Sequence, residues 1–223
     1  MKKTLFFCLV FSLLSLNAKA FNMVTLGKFY NGLSDTCSVF MFIEDDYSYS
    51  IMITTGDKMA LLAGETRGKI LDASIRLWKP KEIKKFKLTL TSVKEKFIEW
   101  QNIYNNSGTT ETMSKVMPIK FKSLAVQWRV YSYGKDDSFG GYYEFPVEFT
   151  GHSGESGYVE ISKSVANYDR FDRLRYCYIS LSFYSPEAID HMLEILSDEN
   201  INKYINLEKY KNNKNSSVLN QLQ

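Results

Sequence analysis

The sequence predicts an α+β fold: an antiparallel β-sheet laid down in two meanders, one long amphipathic helix over about 80–106, and a helical C-terminus over about 186–208. Three observations lead there. Residues 37–78 and 116–184 are rich in β-branched and aromatic side chains at alternating positions, broken by Asp and Gly turns. Between them the hydrophobic period changes from two to 3.6, because Ile83, Phe86, Leu90, Val93, Phe97, Trp100 and Tyr104 recur every three or four residues. After Ser185-Pro186-Glu187 a helical pattern returns, with an N-cap serine, a first-turn proline and an early acid.

In the first meander, strands over 37–44 and 47–54 flank the Asp45-Asp46 turn, Gly56-Asp57 marks the next turn, and strands over 58–63 and 69–78 follow. In the last of these Leu71, Ala73, Ile75 and Leu77 alternate with Asp72, Ser74 and Arg76, so one face is buried and the other wet. The long helix takes Pro80 in its first turn, where a missing N–H costs nothing, and Asn105-Asn106-Ser107-Gly108 ends it. Thr89 and Thr91 favour strand locally, but the unbroken helical spacing on both sides outweighs that weak preference. The second meander reads as strands over 116–122, 124–133, 142–150, 158–162 and 173–184, separated by loops over 134–141, 151–157 and a longer segment around Asn167-Tyr168-Asp169. Its helix runs from 186 through Leu196, Ser197-Asp198 restarts a second one, and the Asn/Lys/Ser-rich residues 209–223 read as a disordered tail.

Trp78, Pro80 and Ile83 share their spacing with Tyr184, Pro186 and Ile189, and each set follows a strand with a matching inward set. Residues 21–208 therefore read as one α+β domain, with a division into two meander-plus-helix halves, 21–110 and 111–208, as the finer expectation.

The first twenty residues have their own signature. Lys2 and Lys3 precede an apolar run over 5–16, and Ala18-Lys19-Ala20 is an A-x-A processing motif. Residues 1–20 read as a secretory signal peptide cleaved after Ala20, which places the mature protein in the periplasm or outside the cell. The run is too short for a stable membrane span. The chain carries 28 Lys and Arg against 25 Asp and Glu, and Lys2, Lys3 and Lys19 leave with the leader, so the mature protein is formally neutral. That balance argues against nucleic acid or an anionic membrane as partner, since both select a basic excess.

Two cysteines survive processing, Cys37 and Cys177. In an oxidising compartment they could form one disulfide; the other reading is two separate buried thiols, each on the apolar face of its strand. No catalytic set is legible. Gly151-His152-Ser153-Gly154-Glu155 lacks the last glycine of a nucleophile elbow and joins strand to strand rather than strand to helix. The acidic clusters Glu44-Asp45-Asp46, Asp136-Asp137 and Asp169 with Asp172 have oxygen ligands for a hard cation such as calcium but match no EF-hand or repeat-type loop, and read as solvated turns. His152, His191 and the two cysteines have no paired metal-ligand spacing, so neither metal nor cofactor is expected.

The aromatic residues offer a binding surface. If Cys177, Ile179, Leu181 and Phe183 face the core, then Tyr176, Tyr178 and Tyr184 point to the other face, while Tyr131, Tyr133, Tyr142 and Tyr143 flank the 134–141 loop. Tyr131, Tyr133, Tyr142, Tyr176 and Tyr178 are the candidate binding residues for a glycan or a protein partner, since exposed tyrosine gives large rigid contact area. The competing expectation is that a helix covers this face, because two amphipathic helices need something to cover.

Residues 93–100 (VKEKFIEW), 113–121 (MSKVMPIKF) and 184–190 (YSPEAID) carry a resemblance. The chain resembles a group of small exported proteins of gut Bacteroidota over roughly its last two thirds. The shared segments are helix and strand junctions, so the resemblance implies no activity and carries no site residue. Together these readings predict an exported, non-enzymatic binding protein, of which an immunity or inhibitor protein acting on a protein partner in the periplasm is one concrete form. The alternatives are glycan binding through the tyrosines, or an enzyme built on a carboxylate pair without a recognisable motif.

Overall fold

Period-two alternation builds a single antiparallel sheet, and the helical segments pack on one of its faces. The computed structural model describes residues 21–31, 36–55, 68–132, 135–152, 157–168 and 174–221. In chain order these form β1 (Phe21–Tyr30), β2 (Thr36–Glu44), β3 (Tyr49–Thr54), β4 (Gly68–Leu77), α1 (Pro80–Asn106), β5 (Met113–Ser132), β6 (Lys135–Gly151), β7 (Tyr158–Tyr168), β8 (Leu174–Phe183), α2 (Pro186–Ile195) and α3 (Asp198–Gln221). Strand order equals chain order, and every neighbouring pair is antiparallel. The fold is thus the α+β class expected, with its two four-strand meanders joined edge to edge through β4 and β5.

The inner face is continuous and apolar. Cys37, Val39, Met41 and Ile43 of β2, Ile51 and Ile53 of β3, and Ala73, Ile75 and Leu77 of β4 are buried with Val126 and Trp128 of β5 and Phe145, Val147 and Phe149 of β6. Against them α1 buries Ile83, Phe86, Leu90, Val93 and Phe97. Burying a side chain of this size contributes about 1.5–3 kcal/mol. Ring contacts fix the docking: Phe86 lies 5.0 Å from Phe121, and Phe97, Trp100 and Tyr104 surround Phe149. The helix ends at Ser107, followed by Gly108 at φ 67°, a left-handed stop that suits glycine.

The C-terminal helices begin on serine caps, Ser185 Oγ accepting from Ala188 N–H at 3.2 Å and Ser197 Oγ from Asn200 N–H at 3.1 Å. They lie along β1. Asn200 Nδ2 donates to Leu26 O at 3.2 Å, and His191 Nε2 lies 3.0 Å from Lys28 O, so polar side chains occupy carbonyls of an edge strand. At Gly27 the approach is so close that a Cβ would fall 2.6 Å from Ile195 Cγ1. At the end of β1, Asn31 reaches β8, and Phe29 stacks on Phe183 at 6.2 Å, so the first and last strands meet there.

Several expectations change. Residues 135–141 are not a loop but the start of β6, paired with Val126–Ser132 of β5, so Asp136 and Asp137 lie in a strand. The pairing supplies what their low strand propensity does not. Within β5 the register shifts between Val116 and Lys120, at Pro118, and again between Phe121 and Leu124, where Ser123 takes φ 61°. The β6–β7 ladder stops at Val147, next to Pro146, which has no N–H to donate. β7 continues past 162 to Tyr168, and α3 continues past 208 to Gln221, because residues 209–221 contain neither Gly nor Pro to stop a helix. The strand expected over 58–63 lies outside the described residues, as do residues 1–20, where a leader is expected. No helix among the described residues is long and apolar enough to cross a membrane.

Cys37 and Cys177 are not joined by a disulfide. Each is fully buried on the inward face of its own strand, β2 and β8, which are not neighbours in the sheet. The second of the two sequence readings describes them.

Candidate functional site

The helices take the inner face, which leaves the outer face of the sheet without a helix among the described residues. The tyrosine face of β8 is this outer face: in register with β7, Tyr176 stands opposite Ala166 and Tyr178 opposite Ser164, one residue out of phase with the buried Cys177. Both tyrosines are half-buried. Among the described residues, no helix covers them.

Around these residues the outer face carries a polar and aromatic cluster. Glu160 Oε1 accepts from Tyr178 OH at 2.8 Å and from Ser180 Oγ at 2.7 Å. Tyr158 stacks on Tyr184 at 5.0 Å and on His152 at 5.6 Å, forming a three-ring row across the ends of β6, β7 and β8. Burial, then the nearby Tyr158, Glu160 and Tyr30, pushes the Tyr184 phenol above its ordinary range. Sequence reasoning named Tyr184 as outward-facing, but Tyr158 and His152 join it only through strand register.

The remaining candidates are elsewhere. Tyr142 is 64% exposed and lies on the outer face of β6, opposite Ala125. Tyr131 stands opposite Asp136 near the β5–β6 hairpin tip. Tyr133 lies outside the described residues, as does Ser153. The structure thus joins Tyr176 and Tyr178 on one strand face and places Tyr142 and Tyr131 on a different hairpin.

No protein-family model, curated protein or solved structure matches this chain. Function must therefore be read from the surface itself.

A second outer-face cluster has a sequence signal only in part. Arg76, on the wet side of β4, reaches across β3 so that its guanidinium lies 4.6 Å from the ring of Phe42 and 5.4 Å from that of Trp78. Its Nε donates to Gln127 Oε1 at 2.8 Å. Burial lowers the Arg76 pKa, opposed by the charge of Asp72. Asp72 itself pairs with Arg129, whose Nε donates to it at 2.6 Å. Phe21 and Met23 of β1 lie more than half exposed on the same face, and Phe21 packs 5.4 Å from Phe42. This part of the outer face therefore sets exposed apolar side chains of β1 beside one anchored cation of β4.

Beside Arg76 a cleft of about 260 Å³ opens between the first turns of α1 and the β5 bulge. Lys81 and Lys85 come from α1, and Lys122 and Ser123 from the bulge. A non-glycine residue in the left-handed region stores roughly 1 kcal/mol or more, and at Ser123 that strain accompanies the turning of Lys122 out of the ladder. Among the described residues no group of three or more His, Cys, Asp or Glu side chains is placed to hold a metal ion.

Proposed function

We propose that this is an exported, non-enzymatic binding protein that engages a protein partner through the outer face of its sheet, as an inhibitor or immunity protein in the periplasm would. The observation that carries the reading is the Phe42–Arg76–Trp78 cluster on a face that no described helix covers. Aromatic and arginine side chains held rigid at a surface are the residue types that dominate protein interfaces, and Arg76 is pre-ordered by Gln127. The leader supports export, and the neutral mature charge favours contact by shape and aromatic packing over bulk electrostatics. A photo-crosslinking residue introduced at Met52, between these strands, should capture one discrete protein from periplasm, and Trp78→Ala with Arg76→Ala should abolish the capture. Recovery of no discrete protein sinks the reading.

The second reading is glycan binding, which the Tyr158–Tyr184 stack and the Tyr178–Glu160 bond favour by pairing aromatic area with a fixed carboxylate. Under it, Tyr176→Ala with Tyr178→Ala abolishes retention on a polysaccharide column; unchanged retention, or none in the parent, counts against it.

A further inference from the structure

We infer that the cleft between α1 and the β5 bulge binds a small soluble phosphomonoester. This inference does not rest on the protein-partner reading. The mature chain is neutral overall, yet this one cleft gathers Arg76, Lys81, Lys85 and Lys122 around about 260 Å³. Among the described residues none of the four forms an ion pair, whereas Lys87, Lys94, Lys96 and Lys120 on neighbouring surface each have a carboxylate partner. Glu82 is the one acid in the lining, and its Oε2 already accepts from the Trp78 N–H at 2.8 Å.

Two features make the cleft more than a basic surface. First, the geometry is fixed from both walls: Lys85 Nζ donates to Lys122 O at 3.3 Å, and Arg76 is held by Gln127 and by the Phe42 ring. Second, the floor is apolar, supplied by Phe86 and Phe121, with exposed Tyr142 at the mouth. Clustered cations fit a doubly charged tetrahedral oxyanion, with the arginine fork suited to two of its oxygens. The apolar floor and Tyr142 suit the organic part of the ester. A monocarboxylate would leave most of the positive charge uncompensated.

The test is a titration of the isotope-labelled full chain with inorganic phosphate, phenyl phosphate and acetate at constant ionic strength, following backbone amides by NMR. The expected result is saturable shifts confined to residues around 81–86 and 121–125, with phenyl phosphate binding more tightly than phosphate and acetate inert. Lys85→Gln with Lys122→Gln, both at exposed positions, should weaken binding about tenfold or more while leaving distant amides in place. Linear shifts spread over all lysines, an equal response to acetate, or undiminished affinity in the double variant overturns the inference. So does co-sedimentation with phosphatidic-acid vesicles without any response to the soluble esters. Because Arg76→Ala is the variant that tests partner capture, the lysine pair separates failure here from failure there.

Discussion

The side chain of Asn31 accepts a hydrogen bond from the backbone N–H of Ser182 at 2.6 Å. Its Nδ2 donates to Ser180 O at 3.2 Å, so one carboxamide fills the donor and acceptor that β8 would offer a further strand. Asn31 is 1% exposed. Asn31→Ala leaves a buried N–H and C=O unpaired, and should cost about 1–3 kcal/mol in denaturant unfolding. Asn31→Asp, which places an oxygen against Ser180 O, should cost at least as much. A loss below the error of the measurement for both would show that water replaces the carboxamide.

Gly27 faces Ile195 with no room for a methyl group. Gly27→Ala should destabilise by about 1–3 kcal/mol through overpacking, and Ile195→Val should recover part of that loss in the double variant. Additive losses would mean that the two positions do not share the strain.

Trp128 is buried, and among the described residues its Nε1–H has no hydrogen-bond partner. Trp128→Phe removes both volume and an unsatisfied donor, two effects of similar size and opposite sign. The net change should stay within about 1 kcal/mol by thermal or chemical unfolding, well below the usual penalty for shrinking a core aromatic. A loss near that usual penalty would mean the indole N–H is satisfied.

Tyr184 ionises later in the folded chain than in the unfolded one, because burial first and then its neighbours favour the neutral phenol. The stability linked to it is complete below the ordinary tyrosine value of 10.0 and is lost as pH rises through the raised folded value, since the unfolded chain gives up its proton first. Unfolding midpoints should therefore fall on the alkaline side, and Tyr184→Phe should flatten that slope. An unchanged slope would place the alkaline loss on other groups.

Much of this fold was legible because its signals are local. The 3.6 period of Ile83 through Phe97 and the alternation of Ala73, Ile75 and Leu77 each report a buried face without knowledge of the partner. Residues 135–141 were not legible, because Asp136, Asp137 and the two glycines speak for a turn and only cross-strand pairing with β5 overrides them. The outward set Tyr176 and Tyr178 followed from period two alone. The Arg76 cluster did not, since Phe42 is two strands away and nothing in the spacing of 42 and 76 brings them together. Likewise, a total of 28 Lys and Arg against 25 Asp and Glu conceals a cleft whose four cations come from β4, α1 and the β5 bulge.

Strand order equal to chain order also settles where the entropy of closing this sheet falls. Six of the seven ladders close over connections within one meander, and only the β4–β5 ladder must wait for α1 to be threaded between its partners. Loop-closure cost grows slowly with length but must be met before contacts reward it. The two meanders can therefore assemble hairpin by hairpin. The Asn31–Ser182 contact, with 151 positions between its ends, is the step that no fragment of the chain can take in advance. A chain still being synthesised would hold most of its strands paired and yet leave its two edges apart until β8 arrived.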